Sequence, residues 1–166
     1  MDCAGVAESS PMVQKSWKYL QQEIAALKND DIRVLVKTIL DNPVPLLAQR
    51  LDEKNRRAVW QELTAKGYTT QSEEAFLPPV PANGKAAMPF YVSPGSGYQS
   101  HHAYPGGLAT HVATNAALSR AIVTTYQNVY GYDVDADVAM AAQLLHDLHK
   151  PYVFQWQADA SSRTEQ

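Results

Sequence analysis

Residues 68–100 constrain the fold of this chain more than any other stretch, because they interrupt it. They hold Pro78, Pro79, Pro81, Pro89 and Pro94 together with Gly84, Gly95 and Gly97. Proline removes a helix donor and clashes with the preceding turn, so no long helix crosses this stretch. The same residues include Phe76, Leu77, Val80, Met88, Phe90, Tyr91 and Val92, too much apolar surface for a solvated linker. They read as an ordered, irregular crossing with a short strand at residues 90–92, and ordered loops of this length often border active sites.

On both sides of the crossing the pattern is helical. Residues 1–10 read as a flexible arm, and Ser10-Pro11 starts the first helix as cap and first-turn proline. Val13, Trp17, Leu20, Ile24 and Leu27 then recur at helical spacing. Asn29-Asp30-Asp31 closes that helix and caps a second through Ile32, Leu35, Val36, Ile39 and Leu40. After Asp41-Asn42-Pro43, the residues Val44, Leu46, Leu47 and Leu51 suggest a short third helix. A fourth begins at Asp52-Glu53, carries Val59, Trp60 and Leu63, and stops at Gly67. Residues 11–67 therefore form a helical N-terminal subdomain without readable chemistry, and residues 68–100 connect it to the segment 101–166.

In that last segment a helix follows Gly106-Gly107 and runs to about Tyr130, where Gly131 ends it. Its predicted inward face is Leu108, His111, Asn115, Leu118 and Ile122. Asp133 or Asp135 caps the next helix, in which Val138, Ala141, Ala142, Leu144, Leu145 and Leu148 predict deep burial and Pro151 the end. Residues 152–156 look strand-like, with a polar turn over residues 158–162 and a return strand reaching Gln166. The expectation is an all-α fold with a short C-terminal β-hairpin.

All five histidines fall between His101 and Lys150. His111 on one helix and His146-Asp147 on the next offer two imidazoles and a carboxylate, a mixed nitrogen and oxygen set suited to a divalent metal. Each residue alone has a plainer explanation. His111 could be a core histidine with one hydrogen bond, and Asp147 could pair with Lys150 at i+3. Together, however, two imidazoles and a carboxylate are costly to bury among Ala, Leu and Val unless something pairs with them. Gly106-Gly107 allows a tight turn into the helix and is expected to leave its N–H groups open to an anion such as phosphate. His101 and His102, just before that turn, could reach a ligand on the metal.

The patterns HHxxxGGLxxH (residues 101–111) and His146-Asp147-Leu148-His149-Lys150, thirty-five residues apart at their ligand histidines, carry a resemblance. They resemble the HD superfamily of metal-dependent phosphohydrolases, over about residues 99–155. The resemblance implies an HD-like helical bundle and hydrolysis of a phosphoester of a nucleotide or related small phosphorylated substrate. It also implies His111, His146 and Asp147 as metal ligands and Asp147 and Lys150 as the catalytic pair. His102 and His101 would contact substrate, with Gly106 and Gly107. The metal would be Mn, Fe, Ni, Co or Zn, which mixed imidazole and carboxylate ligation suits better than Ca.

That family places a last aspartate on a later helix, whereas only nineteen residues follow Asp147 and the sole later aspartate, Asp159, falls in the predicted turn. The expectation is a sequence cut in mid-domain, with two alternatives: an HD-fold regulatory or binding module without catalysis, and an HD-type di-iron oxygenase.

Composition narrows the partners. A net charge of −3 supplies no basic footprint for a nucleic-acid scaffold or an anionic membrane. Cys3 is the only cysteine, so neither an intrachain disulfide nor a thiolate cluster is available. No stretch approaches the roughly 20 apolar residues of a membrane span, and the expected location is the cytoplasm, with a removed signal peptide and a homo-oligomer both left open.

Overall fold

The computed structural model describes residues 2–44, 52–74, 76, 83–86, 88–97 and 100–154, and these are helical with connecting turns. In chain order the helices are α1 (Cys3–Ser9), α2 (Pro11–Ala25), α3 (Asp30–Asp41), α4 (Glu53–Ala65), α5 (Gly107–Tyr130), α6 (Ala136–Leu145) and α7 (Lys150–Val153). The all-α expectation holds across the described residues.

Local chemistry sets the boundaries. The Ser10 hydroxyl accepts from the Val13 N–H, Asn29 accepts from Asp31 and Ile32, Asp52 from Asn55, and Asp135 from Val138. Each cap satisfies helix donors that have no partner within the helix. Gly131 closes α5 in the left-handed conformation at φ 67°.

α2, α3, α5 and α6 share one core. It contains Leu20, Ile24 and Leu27 of the α2 region, Val36 and Leu40 of α3, Leu108, Ala109, Val112, Ala113 and Ala116 of α5, and Met140 and Leu144 of α6. The alanines let α2 approach α5 closely, and Arg120 of α5 is paired with the buried Glu23 of α2, Nε to Oε2 3.0 Å.

The proline-rich crossing contributes to that core. Phe90 is 1% exposed and lies 6.0 Å from Trp17, ring centre to ring centre. Phe90→Leu is expected to lower the unfolding free energy by about 1–2 kcal/mol. Denaturant unfolding checks this: an unchanged midpoint would mean the crossing is not part of the core.

Several expectations are corrected. Residues 2–10 are not an unstructured arm: Cys3–Ser9 is helical, Asp2 accepts from the Gly5 N–H, and Ala7 is buried against Val13, Met88 and Val92. Residues 90–92 form a turn instead of a strand, closed by the Val92 N–H on Pro89 O at 3.1 Å. The inward face of α5 is Leu108, Ala109, Val112, Ala113 and Ala116, and Leu118 and Ile122 are exposed. Small alanines mark the buried side because α2 packs so closely there, which a search for large apolar residues overlooks. α6 is buried through Met140 and Leu144, with Val138 exposed, and it ends at Leu145, six residues before Pro151. Pro151 instead sits in the first turn of α7, where its missing N–H costs nothing. Tyr152 and Val153 are therefore helical and Phe154 caps α7; the expected hairpin from residue 155 onward lies outside the described residues, as does most of the expected third helix at Leu46, Leu47 and Leu51.

Candidate metal centre

α5 and α6 pack side by side, which brings His111 to the turn that follows α6. That turn holds His146 and Asp147. His111 Nε2 lies 3.1 Å from Asp147 Oδ2, His146 Nε2 lies 3.2 Å from the same oxygen, and the two Nε2 atoms are 3.4 Å apart. One ligand atom from each of the three residues falls within 4.8 Å of the others. Asp147 is buried, His111 is half-buried and His146 faces solvent, so the cluster is closed at its carboxylate and open at one imidazole.

The protonation of the ring nitrogens follows from their partners. His146 Nδ1 lies 2.6 Å from the Gln143 backbone carbonyl. Gln143 Nε2 lies 2.9 Å from the same nitrogen; in the tautomer that donates Nδ1–H to the carbonyl, Nε2 presents a lone pair. His111 Nε2 has the Asn115 carboxamide Nδ2 at 3.1 Å, and with Nδ2 as donor this nitrogen also presents a lone pair. Burial pushes the His111 imidazole below its usual pKa, and the Lys150 ammonium adds to this while the Asp147 carboxylate opposes it. The neutral ring is the form a metal requires.

In that tautomer two nitrogen lone pairs and a carboxylate oxygen stand within 3.4 Å of one another and repel. Lys150 relieves part of this, with Nζ 2.8 Å from Asp147 Oδ2. Oδ2 is buried and makes no hydrogen bond, so its contact with Nζ is an ion pair. A buried, unsatisfied carboxylate oxygen facing two lone pairs is what a divalent cation would reconcile, and the donor set fits one.

A second layer of histidines adjoins this cluster. The rings of His101 and His102 have their centres 5.9 and 5.3 Å from that of His111. His102 is held by a directional chain. Thr110 Oγ1 donates to Gly107 O at 2.9 Å, so it accepts from Tyr104 Oη at 2.6 Å, and Oη accepts from His102 Nδ1 at 3.0 Å. The Nε2 of His102 is then its acceptor atom. Burial, then His101 and Lys150, keep this ring below its usual pKa. His102 also adopts φ 60°, a conformation that costs a non-glycine residue energy and recurs at functional sites.

Gly106 and Gly107 act differently from the expectation of open donors. The Gly106 N–H donates to Val92 O at 2.9 Å, the Gly107 N–H to Tyr104 O at 2.8 Å, and the Leu108 N–H to Ser93 O at 3.0 Å. The start of α5 is thus plugged by backbone carbonyls, and both glycines are buried. Their function on this geometry is close approach: a Cβ on Gly107 would stand 1.9 Å from His102 O, and one on Gly106 would stand 2.5 Å from a Val13 methyl.

Lys150 also donates to Gly95 O at 2.6 Å, which ties α7 to the crossing. Sequence reasoning brought His101, His102, His111, His146, Asp147 and Lys150 to one place, and the structure gathers them. It missed Asn115, Tyr104, Thr110, Gln143 and the Gly95 carbonyl. Asn115 and Gln143 had a readable signal, each lying one helical turn from a candidate ligand. The Gly95 carbonyl had none, since its role comes from a loop fifty-five residues from Lys150.

Among characterised proteins, the chain is similar to the dihydroneopterin 2′,3′-cyclic phosphate phosphodiesterase of Methanocaldococcus jannaschii, 34% identical over 77 residues. The likeness is to a phosphoester hydrolase. It covers 42% of this chain and 31% of that enzyme, so the chain spans about a third of the relative's length. No protein-family profile matches the chain, and no solved structure does. No helix among the described residues is long and apolar enough to cross a membrane.

Proposed function

We propose that this chain carries an HD-type metal centre that hydrolyses a phosphoester of a small phosphorylated molecule, with a nucleotide or a 2′,3′-cyclic phosphate as the leading substrate class. The observation that carries the reading is the convergence of His111, His146 and the buried Asp147, one possible ligand atom of each lying within 4.8 Å of the others. The similarity to a cyclic-phosphate phosphodiesterase supports the same chemistry.

In this reading His111, His146 and Asp147 hold a divalent ion, Mn, Fe, Ni, Co or Zn. Once bound, the ion supplies a Lewis acid beside phosphorus and lowers the pKa of a water. The chain's own residues do the rest. Gln143 O accepts from His146 Nδ1–H, and in this tautomer the Nε2 lone pair turns to the cluster. Asp147 and Gly95 O pin the Lys150 ammonium beside the centre, where it attracts a phosphoryl oxygen and offsets charge that grows there. His102, oriented through Tyr104 and Thr110, turns its acceptor nitrogen to a substrate hydroxyl, with His101 beside it. Gly106 and Gly107 let this loop sit close enough to α5 for the contact. No basic surface for a nucleic-acid scaffold is required, and cytoplasmic location suits such a substrate.

Hydrolysis of a 2′,3′-cyclic nucleotide, followed before and after chelation and metal restoration, tests the reading. Activity is expected to vanish on chelation and to return with one of the named metals. Equal hydrolysis in the presence of the chelator would rule out the metal-centre mechanism.

A second reading has its own observation. The Lys150 ammonium already neutralises Asp147 without a metal, which suits an HD-fold regulatory or binding module. That module would fold normally and contain no stoichiometric metal by elemental measurement.

A further inference from the structure

Asn115 stands one turn beyond His111 on α5, and its carboxamide meets the same His111 nitrogen that faces His146 and Asp147. We propose that Asn115 is a fourth ligand of the centre and gives a bound divalent cation its side-chain carbonyl oxygen. The inference rests on the metal-centre reading and adds a neutral donor to it.

Position is the first support. His111 Nε2 has Asp147 Oδ2 at 3.1 Å, His146 Nε2 at 3.4 Å and the Asn115 amide at 3.1 Å. Donor atoms on one cation, each about 2.1 Å from it, lie about 3.0–3.4 Å apart. The amide stands at that separation from His111 Nε2.

Its chemistry is the second. The N–H that now donates to His111 Nε2 loses its acceptor once that lone pair is given to a cation. A half-turn of the amide replaces Nδ2 with Oδ1 at the same point, and this torsion is broad and two-fold, so the change costs little.

The third support is Asn115 itself. Asparagine is a poor residue for a helix interior. Here it is half-buried, and among the described residues its side chain makes no hydrogen bond other than that to His111. A ligand role gives the helix a reason to carry it.

A neutral fourth ligand also matters electrostatically. With Asp147 as the one carboxylate ligand and Lys150 alongside, the loaded centre keeps a net positive charge, which suits an anionic phosphoester. A carboxylate in place of the amide would cancel part of it.

Titration of the full chain with Co(II), read by visible absorption and by competition with a chromophoric chelator, tests the assignment without any substrate. Asn115→Leu and Asn115→Ala are expected to weaken Co(II) binding by about tenfold or more and to change the absorption bands. Asn115→Asp, which keeps the shape and adds charge, is expected to tighten it, and it remains informative should the apolar variants fail to fold. Unchanged bands and affinity in Asn115→Leu or Asn115→Ala, or no tightening in Asn115→Asp, would overturn the assignment while leaving a three-ligand centre in place. A native chain that takes up no Co(II) would overturn both the assignment and the metal-centre reading.

Discussion

Asp147→Asn and Asp147→Ala are expected to abolish metal retention and to lower phosphoester hydrolysis by more than a hundredfold. Loss of an outer partner of a metal ligand already costs about 10–100-fold, and Asp147 supplies the only carboxylate of the three-residue cluster. Asn keeps the shape and removes the charge, so it separates electrostatics from packing. The fold is expected to survive, because Lys150 keeps its bond to Gly95 O at 2.6 Å. Elemental measurement of the purified variants, with circular dichroism as the folding control, provides the check. A variant with full metal content and the native rate would remove Asp147 from the mechanism.

Gly107→Ala is expected to cost more than about 3 kcal/mol of stability and to disturb His102, on steric grounds alone. The added Cβ would lie 1.9 Å from His102 O and 3.2 Å from Gly95 N, both backbone atoms that cannot rotate away. Gly131→Ala is the control. Gly131 has φ 67° with nothing within 4 Å of a built Cβ, so only backbone strain of about 1 kcal/mol applies there. Chemical denaturation of both variants gives the comparison. Equal losses would mean that the Gly95 and His102 backbones do not press on the start of α5.

Asp147 was readable because a His-Asp doublet thirty-five residues after a helical histidine is a local, ordered pattern. Gly107 was readable as a turn glycine, but its reason was misjudged. The glycine pair was expected to expose donors to an anion, and the structure spends those donors on Val92, Tyr104 and Ser93 carbonyls. The error has a physical source: which backbone approaches a helix start depends on a distant loop, and glycine is equally suited to either use.

Helix existence was legible wherever caps and periodicity agreed, as at Ser10-Pro11, Asn29 and Asp52. Helix faces were less so. On α5 the sequence favoured Leu118 and Ile122 as inward, whereas both are exposed and Ala109, Ala113 and Ala116 are buried. Hydrophobicity ranks side chains by size, but a close helix pair selects small ones, and only the partner helix reveals that.

By itself, then, the sequence determined the longer helices that begin at Pro11, Asp30, Glu53 and Gly107, the interruption by the proline-rich crossing, and the residue types of a candidate metal centre, all of which depend on neighbours within one or two turns. The tertiary structure alone decided that the crossing inserts Phe90 into the core, that Gly95 O steadies Lys150, and that His111, His146 and Asp147 meet within 4.8 Å. Those facts arise from contacts between residues far apart in the chain, where packing, not local preference, fixes the distance.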